Sequence, residues 1–120
     1  MGTKHFSDYE LSCRCGCGYC ITDSLFLDKL EYARKLANIP FVITSSARCL
    51  KHNKEVGGVE TSAHTKALAV DIAFKDSHQC FVIIDSLLRA GFKRLGINFA
   101  KSFIHCDVDA DKPQYVLFKY

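Results

Sequence analysis

Three residues of metal-binding types stand at positions from which a folded chain could bring them together. His64 and Asp71 lie seven positions apart in the stretch SAHTKALAVD, and His105 follows in SFIHCDV. Two imidazoles and one carboxylate are the protein ligands of many catalytic zinc sites, which keep a fourth position open for water. Zinc in such a site lowers the pKa of that water to about 7 and polarises a carbonyl group. The spacing alone leaves a chance occurrence open, since both residue types are common in loops and at strand ends.

The segments that carry these residues predict how each side chain is placed. The stretch ALAVDIAF (residues 67–74) alternates large and small residues, which predicts a strand with Asp71 on the face of small side chains. His64 would lie in the loop just before this strand. On a later strand Phe103, His105 and Asp107 would share one face. Two strands and one loop would therefore supply the site.

The rest of the chain predicts helices and strands joined by short connections. Residues 22–38 have the apolar stripe of a helix that begins at Thr22 or Asp23, and residues 77–91 predict a second long helix. A short helix after Arg48 would be closed by the glycine pair at 57–58. Further strands are predicted near residues 41–44, 94–99, 102–108 and 114–118. This pattern predicts an α+β fold for a single domain spanning residues 1–120, with a mostly antiparallel sheet flanked by helices.

Composition and charge exclude several classes of function. Of the 120 residues 48% are hydrophobic and 24% charged, as in ordinary globular proteins, and the net charge of +3 is spread along the chain. The chain has no basic stripe of the kind that indicates nucleic-acid binding. Its apolar runs are all shorter than the length of about 18 residues that a membrane span needs. The N-terminus lacks the apolar core of a secretory signal. We therefore expect a protein made in the cytoplasm, without membrane insertion and monomeric.

Seven cysteines form a second group of metal-binding side chains. Cys13, Cys15, Cys17 and Cys20 are concentrated in CRCGCGYC, a predicted loop at residues 13–20. These four thiols could bind a structural metal, although the usual paired Cys-x-x-Cys spacing is missing. Reduced thiols, or one or two disulfides, are the alternatives.

A longer pattern surrounds the histidine and aspartate. The stretch ITSSARCLKHNKEVGGVETSAHTKALAVDIA (residues 43–73) resembles the zinc D-alanyl-D-alanine carboxypeptidase family of peptidoglycan peptidases, whose fold is shared with the hedgehog signalling domain. This chain contains the elements of the family pattern in order. They are S-x-x-R, H-N, V-G-G and S-x-H, then D after six residues, and later a histidine on a strand. These elements are Ser45–Arg48, His52–Asn53, Val56–Gly58, Ser62–His64, Asp71 and His105. The opening HFSDYELSCRCGC and the later GINFAKSFIHCDVD are similar to the small single-domain branch of this family.

The resemblance implies a role for each matching residue. His64, Asp71 and His105 would bind the catalytic zinc. Arg48 would stand beside the metal and hold a substrate carboxylate or the developing oxyanion, and Ser62 would hydrogen-bond the substrate or only cap a turn.

The chain departs from the family pattern at three places. None of them removes a metal ligand, but each bears on the substrate or on turnover. Many relatives have a carboxylate base three residues before the last zinc histidine, where this chain has Ser102. Asp107 is the available replacement, as the base or as a group that orients His105 or Arg48. Ala67 stands where relatives usually have glycine, and SSAR replaces a common glycine and aromatic residue before the arginine.

The resemblance implies a zinc metallopeptidase that cuts D-amino-acid-containing peptides of peptidoglycan, as a carboxypeptidase or an endopeptidase. The small size and the missing signal suit an enzyme of phage or prophage lysis that acts on the cell wall after release or as part of a phage particle. The missing upstream carboxylate favours an alternative, an inactive zinc-binding module that binds the cell wall or forms part of a virion. A third hypothesis is a regulatory domain whose metal is bound mainly by the cysteines.

Overall fold

A five-stranded sheet forms the centre of the fold. The computed structural model describes residues 2–120. The strands are β1 (Val42–Ser45), β2 (Ala69–Ala73), β3 (Arg94–Asn98), β4 (Phe103–Asp107) and β5 (Val116–Lys119), in the spatial order β1-β2-β4-β3-β5. The helices are α1 (Ser24–Ala37), α2 (Leu50–Glu55) and α3 (Ser77–Arg89), with a 3₁₀ helix at Ala63–Lys66. All strand pairs are antiparallel except β3–β5.

The two long helices begin at aspartates that cap them. The side chain of Asp23 accepts a hydrogen bond from the backbone N–H of Phe26, and Asp76 accepts one from Gln79. Each cap satisfies a backbone donor that the first turn of a helix leaves unpaired. Asn38 ends α1 in the left-handed conformation, with φ of 54°.

The hydrophobic core lies between the sheet and these helices. Val70 and Ile72 of β2 are fully buried there with Ile104 of β4, while the alternate residues of both strands point to the opposite face. Phe26 and Phe92 meet edge to face within this core, with ring centroids 5.8 Å apart. The alternation in β2 and β4 thus leaves one face of the sheet free for polar side chains.

The predicted α+β class with a mostly antiparallel sheet is confirmed. The predicted elements are present, with ends that differ by a few residues, as in α1, which spans Ser24–Ala37 and not residues 22–38. The segment that carries His64 was predicted to be a loop and forms a 3₁₀ helix. Among the described residues, no helix is both long enough and apolar enough to span a membrane.

Candidate metal centre

The 3₁₀ helix holds His64 in one orientation. Ser62 caps this helix, because its hydroxyl oxygen accepts a hydrogen bond from the backbone N–H of His64. The ring Nδ1 of His64 lies 2.7 Å from the carbonyl oxygen of Ser46. A carbonyl can only accept, so Nδ1 carries a proton, and in the neutral ring Nε2 is then the nitrogen with the lone pair.

Asp71 and His105 are direct neighbours across the β2–β4 pair. The carboxylate oxygen Oδ1 of Asp71 lies 3.2 Å from Nε2 of His64 and 3.1 Å from Nδ1 of His105. The three side chains are buried, and their ligand atoms all lie within 4.8 Å of one another. The structure therefore brings together the three residues predicted as metal ligands.

Asp107 fixes the other end of the His105 ring. Its Oδ2 lies 2.6 Å from Nε2 of His105, while its Oδ1 accepts hydrogen bonds from Nε of Arg94 at 2.9 Å and from the backbone N–H of Asp109 at 3.0 Å. Both oxygens of Asp107 therefore have partners, and its side chain is almost fully buried. Nε2 of His105 donates to this carboxylate, which directs Nδ1 toward Asp71 and His64.

These atoms fit a divalent cation. In neutral imidazoles, Nε2 of His64 and Nδ1 of His105 would present lone pairs to the same carboxylate oxygen of Asp71. Without a cation that arrangement is repulsive, and an additional proton on a ring would relieve it. A metal ion would take the place of that proton, and two nitrogens with one carboxylate oxygen match a zinc site with an open position.

The pKa shifts at this site follow from the same contacts. Burial alone would raise the pKa of Asp71, but its contacts with His105 and His64 outweigh burial and bring the pKa to about 2. Burial alone would lower the pKa of His105, and its hydrogen bonds to Asp107 and Asp71 raise it instead. Burial also opposes ionisation of Asp107, yet the hydrogen bond and charge of His105 lower its pKa. Both carboxylates therefore stay ionised and attract positive charge.

Arg48 enters the same cleft with few partners of its own. Its Nη2 lies 3.5 Å from the hydroxyl oxygen of Ser62, and its buried Nε has no hydrogen-bond partner in the described part of the chain. A buried guanidinium nitrogen without an acceptor carries a desolvation cost that an incoming anion would remove.

The site lies in a cleft of about 480 Å³. The rings of Phe118 and Tyr120 pack against His105, with centroids 5.8 and 6.5 Å from that of His105, and Phe103 packs in turn against Tyr120. Among the described residues, the only carboxylates that line the cleft are Asp71 and Asp107. Five cationic side chains line it as well: Arg48, Arg94, Lys101, Lys112 and Lys119. This balance of charge favours an anionic ligand.

The glycine pair and the departures from the family pattern also have defined places. Gly57 has a positive φ of 76°, and a side chain on Gly58 would collide with the buried amide of Asn53, so the chain turns closely here beside the cleft. Ala67 has φ of 57°, a left-handed conformation in which glycine is favoured. Ser102 also has a positive φ, of 56°, and is not among the residues that line the cleft.

The predicted cysteine quartet is wrong in one member. The structure groups Cys13, Cys15 and Cys17 with Cys49, and Cys20 is outside the group. Cys20 forms an isolated antiparallel bridge with Ser12, whereas Cys49 approaches the loop from the start of α2. Proximity along the sequence favoured Cys20, and only the fold brings in Cys49.

Arg94 and Tyr120 are among the residues around the site that the sequence patterns did not identify. Arg94 precedes Leu95, which pairs with Cys106, so the β3–β4 hairpin brings Arg94 opposite Asp107. Recognition of this hairpin register would have found it. Tyr120 reaches the cleft through the parallel pairing of β5 with β3, for which no local signal exists.

One protein family matches this chain over most of its length. A family model described as Peptidase M15 matches residues 4–107, a range that includes all three candidate metal ligands and Asp107. No curated protein matches the chain.

Proposed function

The chain belongs to the peptidase M15 family, a zinc-dependent family of the D-alanyl-D-alanine carboxypeptidase type, and we propose that it is a zinc peptidase that hydrolyses D-amino-acid-containing peptides of peptidoglycan. The observation that carries this proposal is the convergence of His64 Nε2 and His105 Nδ1 on Asp71 Oδ1. These residues would hold one zinc ion. When bound there, zinc would acidify a water molecule and polarise the scissile carbonyl.

The surrounding residues orient the ligands. The carbonyl oxygen of Ser46 sets the tautomer of His64, and the carboxylate of Asp107 sets that of His105. We assign Asp107 this positioning role because both of its oxygens already have partners. As a general base it would first have to release His105 or Arg94.

The cleft itself would recognise an anionic peptide. The guanidinium group of Arg48 would bind the terminal carboxylate of the substrate or the oxyanion that develops on the attacked carbonyl, assisted by the hydroxyl group of Ser62. The lysines at the rim would attract further carboxylates. Tyr120 is 61% exposed, but partial burial of its phenol and the charges of Asp71 and Asp107 raise its pKa, so the phenol stays protonated and can donate a hydrogen bond to the substrate.

The test is peptide hydrolysis by metal-depleted and zinc-restored protein. A stem pentapeptide ending in D-alanyl-D-alanine, its C-terminal amide, and cross-linked peptidoglycan fragments are incubated with each form, and products are identified by mass spectrometry. We expect zinc-dependent cleavage that is lost in His64→Ala. Preference for the free acid over the amide would support the role of Arg48, and the product masses distinguish a carboxypeptidase from an endopeptidase.

One observation favours a second candidate, a zinc-binding module that binds the cell wall or belongs to a virion without catalysing hydrolysis. Ser102 replaces the usual upstream carboxylate, and the two carboxylates in the cleft are already engaged. Such a protein would bind zinc and cosediment with peptidoglycan, yet leave every peptide intact. That result would overturn the peptidase proposal.

A further inference from the structure

Four thiols from two distant segments meet where the loop at residues 13–20 contacts the start of α2. Cys13, Cys15 and Cys17 come from the loop, and Cys49 comes from the N-cap position of α2. The four Sγ atoms lie within 4.8 Å of one another. Cys13 and Cys15 have sulfurs 3.4 Å apart, and the sulfurs of Cys15 and Cys49 are 3.6 Å apart.

These separations fit metal coordination better than disulfides. A disulfide bond is about 2.05 Å long. In a tetrahedron with zinc–sulfur bonds of about 2.3 Å, neighbouring sulfurs lie about 3.8 Å apart. The sulfur–sulfur separations of 3.4 and 3.6 Å in the structure are close to the second value. All seven cysteines are free thiols in the structure.

The backbone around the cluster supplies what thiolate ligands need. The N–H of Cys49 donates to Sγ of Cys13 at 3.4 Å, and the N–H of His52 donates to Sγ of Cys49 at 3.3 Å. Such bonds stabilise negative charge on sulfur. Gly16 and Gly18 have φ of 82° and 92°, so the loop turns where side-chain residues rarely can.

The cluster connects the loop to the walls of the cleft. Cys49 follows Arg48 directly in the chain. The hydroxyl of Ser46, whose carbonyl oxygen orients His64, donates to the carbonyl oxygen of Ser12 at 3.1 Å. The hydroxyl of Tyr19 donates at 2.7 Å to the carbonyl oxygen of Thr65, next to His64. Fixing the loop would therefore also hold the segment that presents Arg48 and His64.

We propose that Cys13, Cys15, Cys17 and Cys49 bind a structural zinc ion, separate from the site at His64, Asp71 and His105. All four ligand positions are supplied by the protein, so no position is open for water or substrate, which is typical of structural zinc. Metal binding would join residues 13–17 to the start of α2 and stabilise the folded chain, because the unfolded chain does not hold the four thiols together.

The zinc content of matched variants tests this proposal. Cys49→Ser removes one ligand but keeps a good N-cap for α2, and Cys20→Ser is the control within the same loop. Zinc-loaded wild type and Cys20→Ser should each carry about two zinc ions per chain, and Cys49→Ser and His64→Ala about one each. Equal zinc in Cys49→Ser and Cys20→Ser would overturn the proposal.

A spectroscopic measurement on the wild-type chain covers the case in which Cys49→Ser does not fold. Cobalt(II) bound to thiolates shows a near-ultraviolet charge-transfer band, and we expect this band in the wild type and in His64→Ala. Its absence from both would overturn the proposal. In His64→Ala, where only the thiol site remains, a chelator should lower Tm by about 5 °C or more. An unchanged Tm would exclude the structural role. None of these readouts depends on peptidase activity.

Discussion

Replacing Asp107 with asparagine separates the two roles that its position allows. The carboxylate accepts three hydrogen bonds, from His105, Arg94 and the backbone of Asp109. Asparagine has nearly the same shape but one acceptor oxygen and no charge, so it cannot satisfy both His105 and Arg94. If Asp107 positions His105, the variant should bind zinc 10–100-fold more weakly, as is typical for loss of such a partner, which corresponds to about 1.4–2.8 kcal/mol.

The assay is a competition titration of zinc against a chromophoric chelator, combined with kcat measured at saturating zinc. The positioning role predicts that excess zinc restores much of the activity. A general base predicts the opposite pattern, with unchanged zinc affinity and a kcat lowered about 10²–10⁴-fold. An Asp107→Asn variant with wild-type zinc affinity and such a loss of kcat would refute our assignment.

Stability has to be measured beside zinc affinity, because Asp107→Asn also leaves a buried arginine without its ion-pair partner. Breaking such a pair costs about 3–5 kcal/mol of folding free energy. Arg94→Gln is the matched control, since it breaks the same pair but keeps the hydrogen bond between Asp107 and His105. We expect both variants to lose stability and only Asp107→Asn to lose zinc affinity strongly. An equal loss of affinity in both variants would assign the effect to general destabilisation.

Three further substitutions test separate parts of the structure. Tyr120→Phe should lower kcat about 10-fold without changing zinc content, since it removes a protonated donor in the cleft; unchanged kcat would exclude that role. Burial opposes ionisation of Glu31, but hydrogen bonds from Thr3 and His5 outweigh it and lower the pKa of the carboxyl group. The ionised carboxylate therefore stabilises the fold fully above the unfolded pKa of about 4.3, and this stabilisation is lost as the pH falls through the folded pKa. Glu31→Gln should therefore cost about 1–3 kcal/mol near pH 7, with the gap from wild type closing below about pH 4, as measured by urea unfolding; a gap that persists in acid would contradict this. Ala67→Gly should change stability by less than about 1 kcal/mol, because relief of the left-handed backbone strain offsets the loss of a buried methyl group and the greater flexibility of the unfolded chain. Ala67→Val should cost about 1–3 kcal/mol, because a β-branched residue is strained in this backbone conformation. Equal stability of both variants would refute the backbone argument.

Local sequence patterns were enough to predict the fold class, whereas the three metal ligands were predicted from the resemblance to a peptidase family, since their spacing alone left chance open. Alternation predicted that Asp71 lies on the small-residue face of β2 and that His105 and Asp107 share one face of β4, and in the structure all three line the cleft. The long helices were recognisable from apolar stripes and acidic caps. These features depend on residues close together in the chain, so periodicity alone reveals them.

Register and long-range proximity were decided by the tertiary structure. The pairing of Asp71 with His105 and the approach of Arg94 to Asp107 depend on which strands become neighbours, in the order β1-β2-β4-β3-β5. The replacement of Cys20 by Cys49 in the thiol cluster has the same origin, because the N-cap residue of α2 packs against a loop more than thirty positions earlier. A local pattern states which face a side chain occupies, but not which distant face it meets. That choice is made when the whole core packs at once.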